Sequence, residues 1–479
     1  MAQDVRINLF GIGTQSESRA ITAQRRINCL VSPQTEMDRT AFALIGRPGL
    51  DAFVTTLGNN PSRGMWAVNS LSTPLLFSVH GSSLVSVDNS GTVSTIGTIN
   101  TSTGDVSMVD NGTYLVLVDG TDGWYYDMVT PGTLTQIASG NFTSSPITVD
   151  YQDTYFIVTS GSSRQFQLSN NDDPTTWAAL DIGFADSGQG TLKAGYVNNN
   201  ILQLFGSNFV EFRQNTGTAD LPYQRIPGAS QNFGLLASWS MDEFDNSLTG
   251  LMGNRQGSRE ISRMNGFART KLSDGDIDDL LLSYTTVSDA TGYSMMFGGH
   301  PLYVINFPTP DVTHVYDGLG HSWTEWQATD GTRFWGNKFA ILNNRSLVSD
   351  RRNGNIYEFN TATYTDNGDE IPFEVISKHL WEDDKYITVN DIQIDMEQGV
   401  GTATGQGADP HIDLQVSKDY GFSFTSVGYR SVGKVGEYTT RVRWQALGAA
   451  RDWVFKLRIT DPVKRVITGA SADISIGSS

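Results

Sequence analysis

Cysteine is almost missing from this chain: Cys29 is the single one among 479 residues. A lone thiol excludes a disulfide framework within the chain and predicts folding in a reducing compartment. Histidine is scarce too. The six, His80, His300, His314, His321, His379 and His411, show no i, i+2 or i, i+4 pairing, so no metal site and no cofactor are expected. No run approaches the ~20 apolar residues needed to span a bilayer. The opening MAQDVRINLFGIG lacks a basic region followed by an apolar core, so neither a signal peptide nor a membrane-embedded segment is expected. Asn-X-Ser/Thr triplets such as Asn111-Gly112-Thr113 and Asn141-Phe142-Thr143 then read as turn residues. Basic side chains are outnumbered, 33 against 51 acidic, for a net charge of −18. That balance argues against broad adhesion to nucleic acid, where affinity comes from basic residues displacing counterions from phosphates.

Glycine, by contrast, is abundant, with 49 residues beside a hydrophobic content of 38%. The combination describes a turn-rich globular protein rather than a disordered one. The chain is also too long for one small core and predicts a large closed β-unit with one or two further domains.

The clearest architecture lies between Gly292 and Trp326. Ser294 to Phe297 runs into a Gly-Gly-His-Pro corner, and Leu302 to Phe307 makes a second strand broken by Pro308 and Pro310. Thr313 to Tyr316 ends in Asp317-Gly318, and Ser322 to Trp326 begins a fourth. Short β-branched and aromatic runs, each stopped by Gly, Pro or Asp-Gly, spell a four-stranded antiparallel meander. One blade of a β-propeller is such a meander.

The same scheme recurs along the chain. It is visible from Trp66, through Leu75 to His80 and Ser83 to Val87, again around Asp105 to Asp127, and again from Ile147, Leu192 and Leu235. A last copy begins near Arg333 and runs to Phe359. The spacing leaves room for about six or seven blades. Residues 1–55 read as an N-terminal extended arm with strands at Arg25 to Leu30 and Thr40 to Ile45, the second stopped by Gly46-Arg47-Pro48-Gly49. One short helix interrupts the pattern, with Ser273 as its cap, Asp274 and Asp276 in its first turn, and Ile277, Leu280, Leu281 and Tyr284 at helical spacing. Its acids do not make a calcium loop. Asp279 and Thr285 stand where that loop needs Gly and Glu.

Thr365-Asp366-Asn367-Gly368-Asp369 marks a boundary. Beyond it, longer alternating strands at Pro372 to Ser377, Ile387 to Met396, His411 to Ser417, Thr440 to Gln445 and Val454 to Thr460 predict an antiparallel β-sandwich. The chain therefore divides into an arm at 1–55, a β-propeller at 56–365 and a C-terminal β-sandwich at 366–479. It is all-β apart from the helix.

Motifs for chemistry are thin. Gly428 to Lys434 mimics a phosphate-binding loop, but Val435 stands where a hydroxyl must reach magnesium and no apolar helix follows. Ser417 to Phe424 resembles the Asp-box hairpin turn, in which the carboxylate binds loop amides, so Asp419 and Gly421 are structural. Tyr303, Asp317 and Trp323 are expected to serve the framework of their blade. Of Trp323 and Trp326, alternation sends at least one between neighbouring blades. Glu325, Glu358 and Asp350 sit near blade ends and are the candidate carboxylates for a propeller glycosidase, although turn formation is the ordinary role of such acids.

The helix followed by Gly292-Tyr293-Ser294, Leu302 to Pro308, His314 to Asp317 and Trp323 resembles the tail-hub or nozzle proteins of short-tailed phages, also called packaged-DNA stabilisation proteins. Arg26-Ile27-Asn28, Arg47-Pro48-Gly49-Leu50, Phe209 to Phe212 with Gly217, and Phe455 to Ile459 extend the resemblance over almost the whole chain. It implies a non-enzymatic virion protein, assembled in the host cytoplasm as a ring, a homohexamer, below the portal and head-closure adaptor. Such a ring closes the channel through which duplex DNA leaves and carries needle, tailspike or fibre proteins. The alternatives from the residues alone are a propeller glycosidase or depolymerase, and a sugar-binding propeller without turnover.

Overall fold

The computed structural model describes residue 10 and residues 13–16, 18–34, 42–138, 140–219 and 221–477. Among the described residues, seven four-stranded antiparallel blades follow one another. Their first strands are Ser62–Val68, Ser107–Asp110, Pro146–Gln152, Leu192–Asn198, Asp242–Phe244, Thr291–Phe297 and Gly336–Leu342. We number the blades 1 to 7 in that order. The strand of blade 7 lies beside that of blade 1, so the ring closes.

Strands inside a blade are covered on both faces by neighbouring blades. They therefore read as unbroken apolar runs rather than alternating ones. Leu302 to Phe307 in blade 6 and Leu115 to Val118 in blade 2 are buried throughout. The outermost strand of blade 5, Ala268–Lys271, pairs with one strand alone and is exposed along its whole length.

The hairpin between first and second strands is built alike in five blades. Both loop residues have positive φ: Asp153-Thr154, Asn199-Asn200, Asp245-Asn246, Gly298-Gly299 and Asn343-Asn344. Two-residue loops of that hand match the right-handed twist of the strands, and Asn, Asp and Gly tolerate the conformation best.

The N-terminal arm ties the two units together. Arg25–Ile27 lies parallel to the outer strand of blade 6, Ser322–Trp326, and antiparallel to Phe373–Ile376 of the sandwich. One ten-stranded sheet thereby runs out of the propeller and into the sandwich, through Asp452–Ile459, His411–Ser417 and Thr425–Ser431. The arm then turns back as a hairpin, Cys29–Pro33 with Phe42–Gly46, which joins the opposite sandwich sheet beside Val466–Ile476, Ile387–Met396 and Val442–Ala450. Thr40 and Ala41, expected to begin that strand, lie outside the described residues. Finally Gly49–Val54 becomes the outer strand of blade 7, antiparallel to Ile356–Asn360. Gly49 is required there, because a Cβ would stand 2.5 Å from the Thr363 and Thr365 carbonyl oxygens.

The helix is Gly275–Ser283, and its cap is one residue later than the sequence suggests. The Asp274 carboxylate accepts from the Ile277 amide at 2.9 Å. Ser273 instead accepts from the Ile261 amide and donates to Asp278, fastening the helix to blade 5.

Candidate functional site: the arm junction and the propeller channel

Where arm, propeller and sandwich meet, Arg47 and Arg465 are almost fully buried. Arg47 donates to Asp366 at 2.9 and 2.5 Å, to the Asn28 side-chain oxygen at 2.8 Å and to the Pro48 carbonyl at 3.0 Å. Its guanidinium also lies over the Phe334 ring, 4.6 Å from the centroid. Arg465, on the sandwich side, donates to the Ile371 carbonyl at 2.6 Å. Burial, and secondly the neighbouring Arg47, push the Arg465 guanidinium down to about 10.

Asn28 is the pivot of this junction. Its φ of +53° bends the chain between two strands, a conformation Asn accepts better than most residues. Its side-chain amide donates to the carbonyls of Gln327 in the propeller and Pro372 in the sandwich, at 3.0 and 2.7 Å. The Asn28 amide is thus bonded to both units at once, and buried polar groups need such partners.

The second candidate place lies on the propeller axis. All seven blades contribute to a cavity of about 340 Å³ whose walls include Trp66, Asp150, Tyr196, Trp239, Asp242 and Lys338. Lys338 is paired with Asp105 at 2.6 Å and faces the Trp239 ring. Asp150 accepts from the Val197 and Tyr151 amides, and Asp242 from the Ser294 amide. Burial pushes both carboxyls up to about 6, against those amide bonds and with a smaller push from Glu243. These are the carboxylates that sequence reasoning missed. An Asp in the first strand of a blade carries no spacing signal, because only ring closure brings the first strands together.

The expected site residues fall elsewhere. Glu325 is held by two bonds from Arg25, at 2.8 and 2.6 Å, and despite burial this pairing lowers its proton affinity. Glu358 is paired with Arg345 at 2.5 Å, and Asp350 with Arg352 at 2.7 Å. The three are tied to three different arginines, Arg25 of the arm and Arg345 and Arg352 of blade 7, and none lines the axial cavity. Trp323 and Trp326, on opposite faces of their strand, both lie between blades. Trp323 meets the helix and blade 5, donating to the Leu272 carbonyl at 3.1 Å, and Trp326 meets Phe334 and Phe359 of blade 7. Tyr303 is buried and donates to the Ser240 carbonyl at 2.5 Å. Asp317 faces His300 at 2.8 Å and accepts from the Leu319 and Gly320 amides. In the sandwich, Asp419 accepts from the Ser423 amide at 2.9 Å and from the Ser417 and Ser423 hydroxyls, while the Gly421 amide donates to Ser417. Among the described residues, no group of three His, Cys, Asp or Glu side chains is placed to hold a metal ion.

Residues 5–364 match the family described as Bacteriophage P22 Gp10, beta-propeller, and residues 372–475 match the one described as Bacteriophage P22 Gp10, beta-sandwich. The chain belongs to the P22 Gp10 family. Gp10 membership confirms the resemblance to tail-hub proteins and makes the chain a structural protein of the phage tail, carried in the virion. The residues that carried the resemblance form the joints of this Gp10 fold. Arg26 to Asn28 and Arg47 to Leu50 build the junction. Glu211 accepts from the Asp186 and Ser187 amides and pairs with Arg213, fixing blade 4 to the chain leaving blade 3.

No curated protein matches the sequence. Among solved structures, virginiamycin B lyase from Staphylococcus aureus is similar at 8% identity and a TM-score of 0.43, over 62% of this chain and 94% of that one. The WD40 propeller domain of Doa1 gives 9% identity and 0.42, over 65% and 97%. An extracellular domain of a putative hybrid two component system from B. thetaiotaomicron gives 9% and 0.46, over 66% and 40%. At these values the likeness carries no argument about this Gp10 chain.

Proposed function

We propose that the protein is the hub, or nozzle, of a short phage tail: a homohexameric ring fixed below the portal and head-closure adaptor, assembled in the host cytoplasm. The ring retains packaged DNA and docks needle, tailspike or fibre proteins. The observation that carries this reading is the junction. A propeller and a sandwich joined by one continuous sheet, with buried arginines bonded to both, form a stiff body suited to bearing load rather than closing on a substrate. The axial cavity of about 340 Å³ cannot admit a duplex whose major groove alone is about 12 Å wide. DNA must therefore run through a channel formed between copies. Negative-stain imaging of the purified protein, with and without a portal complex, tests this. Rings that bind the portal are expected, and monomers that ignore it would sink the reading.

A second reading, a propeller glycosidase, is favoured by one observation. Asp150 and Asp242 are carboxyls held protonatable near neutral pH inside a cavity, the property of a general acid. Release of reducing sugar from host polysaccharide, lost in Asp150→Asn or Asp242→Asn, would establish it in place of the first.

A further inference from the structure

At one end of the sandwich, three loops and the arm converge on a second cavity, of about 330 Å³, lined by Ile21, His379, Trp381, Asp384, Tyr420 and Arg451. Its aromatic walls are open to solvent: Trp381 is 62% exposed and Tyr420 48%. Tyr420 is held there against its own preference. Its φ of +61° lies in a region that bulky side chains avoid, and such outliers persist where the surroundings impose them and concentrate at binding sites. Here the Asp-box turn imposes it, through the bonds of Asp419 and Ser417 to both sides of Tyr420. The polar rim is available as well. Arg451 and Asp384 stand 3.5 Å apart, with side chains 51% and 76% exposed, so most of their bonding capacity is unused. His379, by contrast, is fixed between Asp452 and the Arg19 carbonyl.

We propose that this cavity binds one or two pyranose rings of a glycan. A pyranose has an apolar C–H face edged by hydroxyls. Trp381 and Tyr420 supply faces for the former, while Asp384 accepts from hydroxyls and Arg451 donates to them. The size agrees, since ligand cavities begin at about 300 Å³. A protein partner would instead call for a broad face of about 800 Å², not a hollow. The sandwich thereby adds direct contact with surface polysaccharide to a tail protein, independently of whether the chain forms the hub ring.

Saturation-transfer NMR on the full chain, with the methyl glycosides of glucose, galactose, mannose and N-acetylglucosamine as probes, tests the proposal. Transfer to the ring protons of at least one glycoside is expected. It should vanish in Trp381→Ala, fall severalfold in Asp384→Ala and persist in Tyr438→Ala, an exposed aromatic outside the cavity. Both decisive side chains are exposed, so the variants should keep the parent melting temperature, and Asp384→Ala decides if Trp381→Ala does not fold. No transfer from any of the four, or transfer that survives both substitutions, overturns the proposal. So does loss of self-association in Trp381→Ala when the parent shows no transfer, which would make this hollow a contact between copies.

Discussion

Arg47 and Asp366 form a two-bonded ion pair whose side chains are 0% and 1% exposed, 319 positions apart in sequence. The pair locks the arm to the segment that leaves the propeller, beside a second buried cation, Arg465.

Breaking that pair should be costly. Removing one partner of a buried pair typically costs about 3–5 kcal/mol. Asp366→Asn should cost more than Arg47→Met, because it leaves Arg47 and Arg465 facing each other without an anion. Chemical denaturation of both variants checks this, and equal losses would contradict the charge argument.

Trp323 fills the space between blade 6, the helix and blade 5. Trp323→Ala should destabilise the propeller by ~3–5 kcal/mol. A melting temperature equal to that of the parent would remove Trp323 from the core.

Asp150 and Asp242 have carboxyls pushed up to about 6 in the folded protein, above their unfolded value near 3.9. The folded state therefore binds protons that the unfolded state has released, and stability falls as pH rises from about 4 through about 6. Asp150→Asn or Asp242→Asn, which keeps an acceptor for the amides, should raise stability at pH 7 by roughly 1–3 kcal/mol. The gain should fade towards pH 4. A gain independent of pH would show that ionisation is not its source.

Cys29 is fully buried in the sandwich core, where burial pushes its thiol up to about 12. Thiolate is the reactive form, so maleimide or iodoacetamide should leave the native protein unlabelled. Labelling should track global unfolding in denaturant. Fast labelling of folded protein would mean that the arm hairpin opens locally.

The acidic balance bears on DNA. A channel that releases a genome quickly should not grip phosphates, since each basic contact adds a salt-dependent bond. Isolated protein should bind duplex no tighter than ~10⁻⁴ M at physiological salt. Micromolar affinity that weakens steeply with salt would reveal a basic patch and end the idea of a slippery wall.

Much of the fold is local and was legible. A blade is a run of neighbouring strands, and its turns announce themselves: Asp153-Thr154, Asn199-Asn200 and Asp245-Asn246 recur at a constant interval, which marks blades 3 to 5. Ile387–Met396 and His411–Ser417 likewise follow from alternation alone. The arm was different. Arg25–Ile27 is three residues with no usable period, and Gly49–Val54 pairs with a strand some 300 residues away. Which free sheet edge each segment fills depends on where the closed ring and the sandwich leave one. The same holds for chemistry. Glu325, Glu358 and Asp350 looked available because sequence cannot show the arginines that hold them. Asp150 and Asp242 looked ordinary because their half-buried place exists only once seven first strands surround one axis. Sequence set the rhythm of strands and turns through steric and hydrogen-bonding preferences that act over a few residues. Closure, the continuous sheet and the buried charges were decided by tertiary structure, because desolvation and strand pairing depend on neighbours that the chain brings from far away.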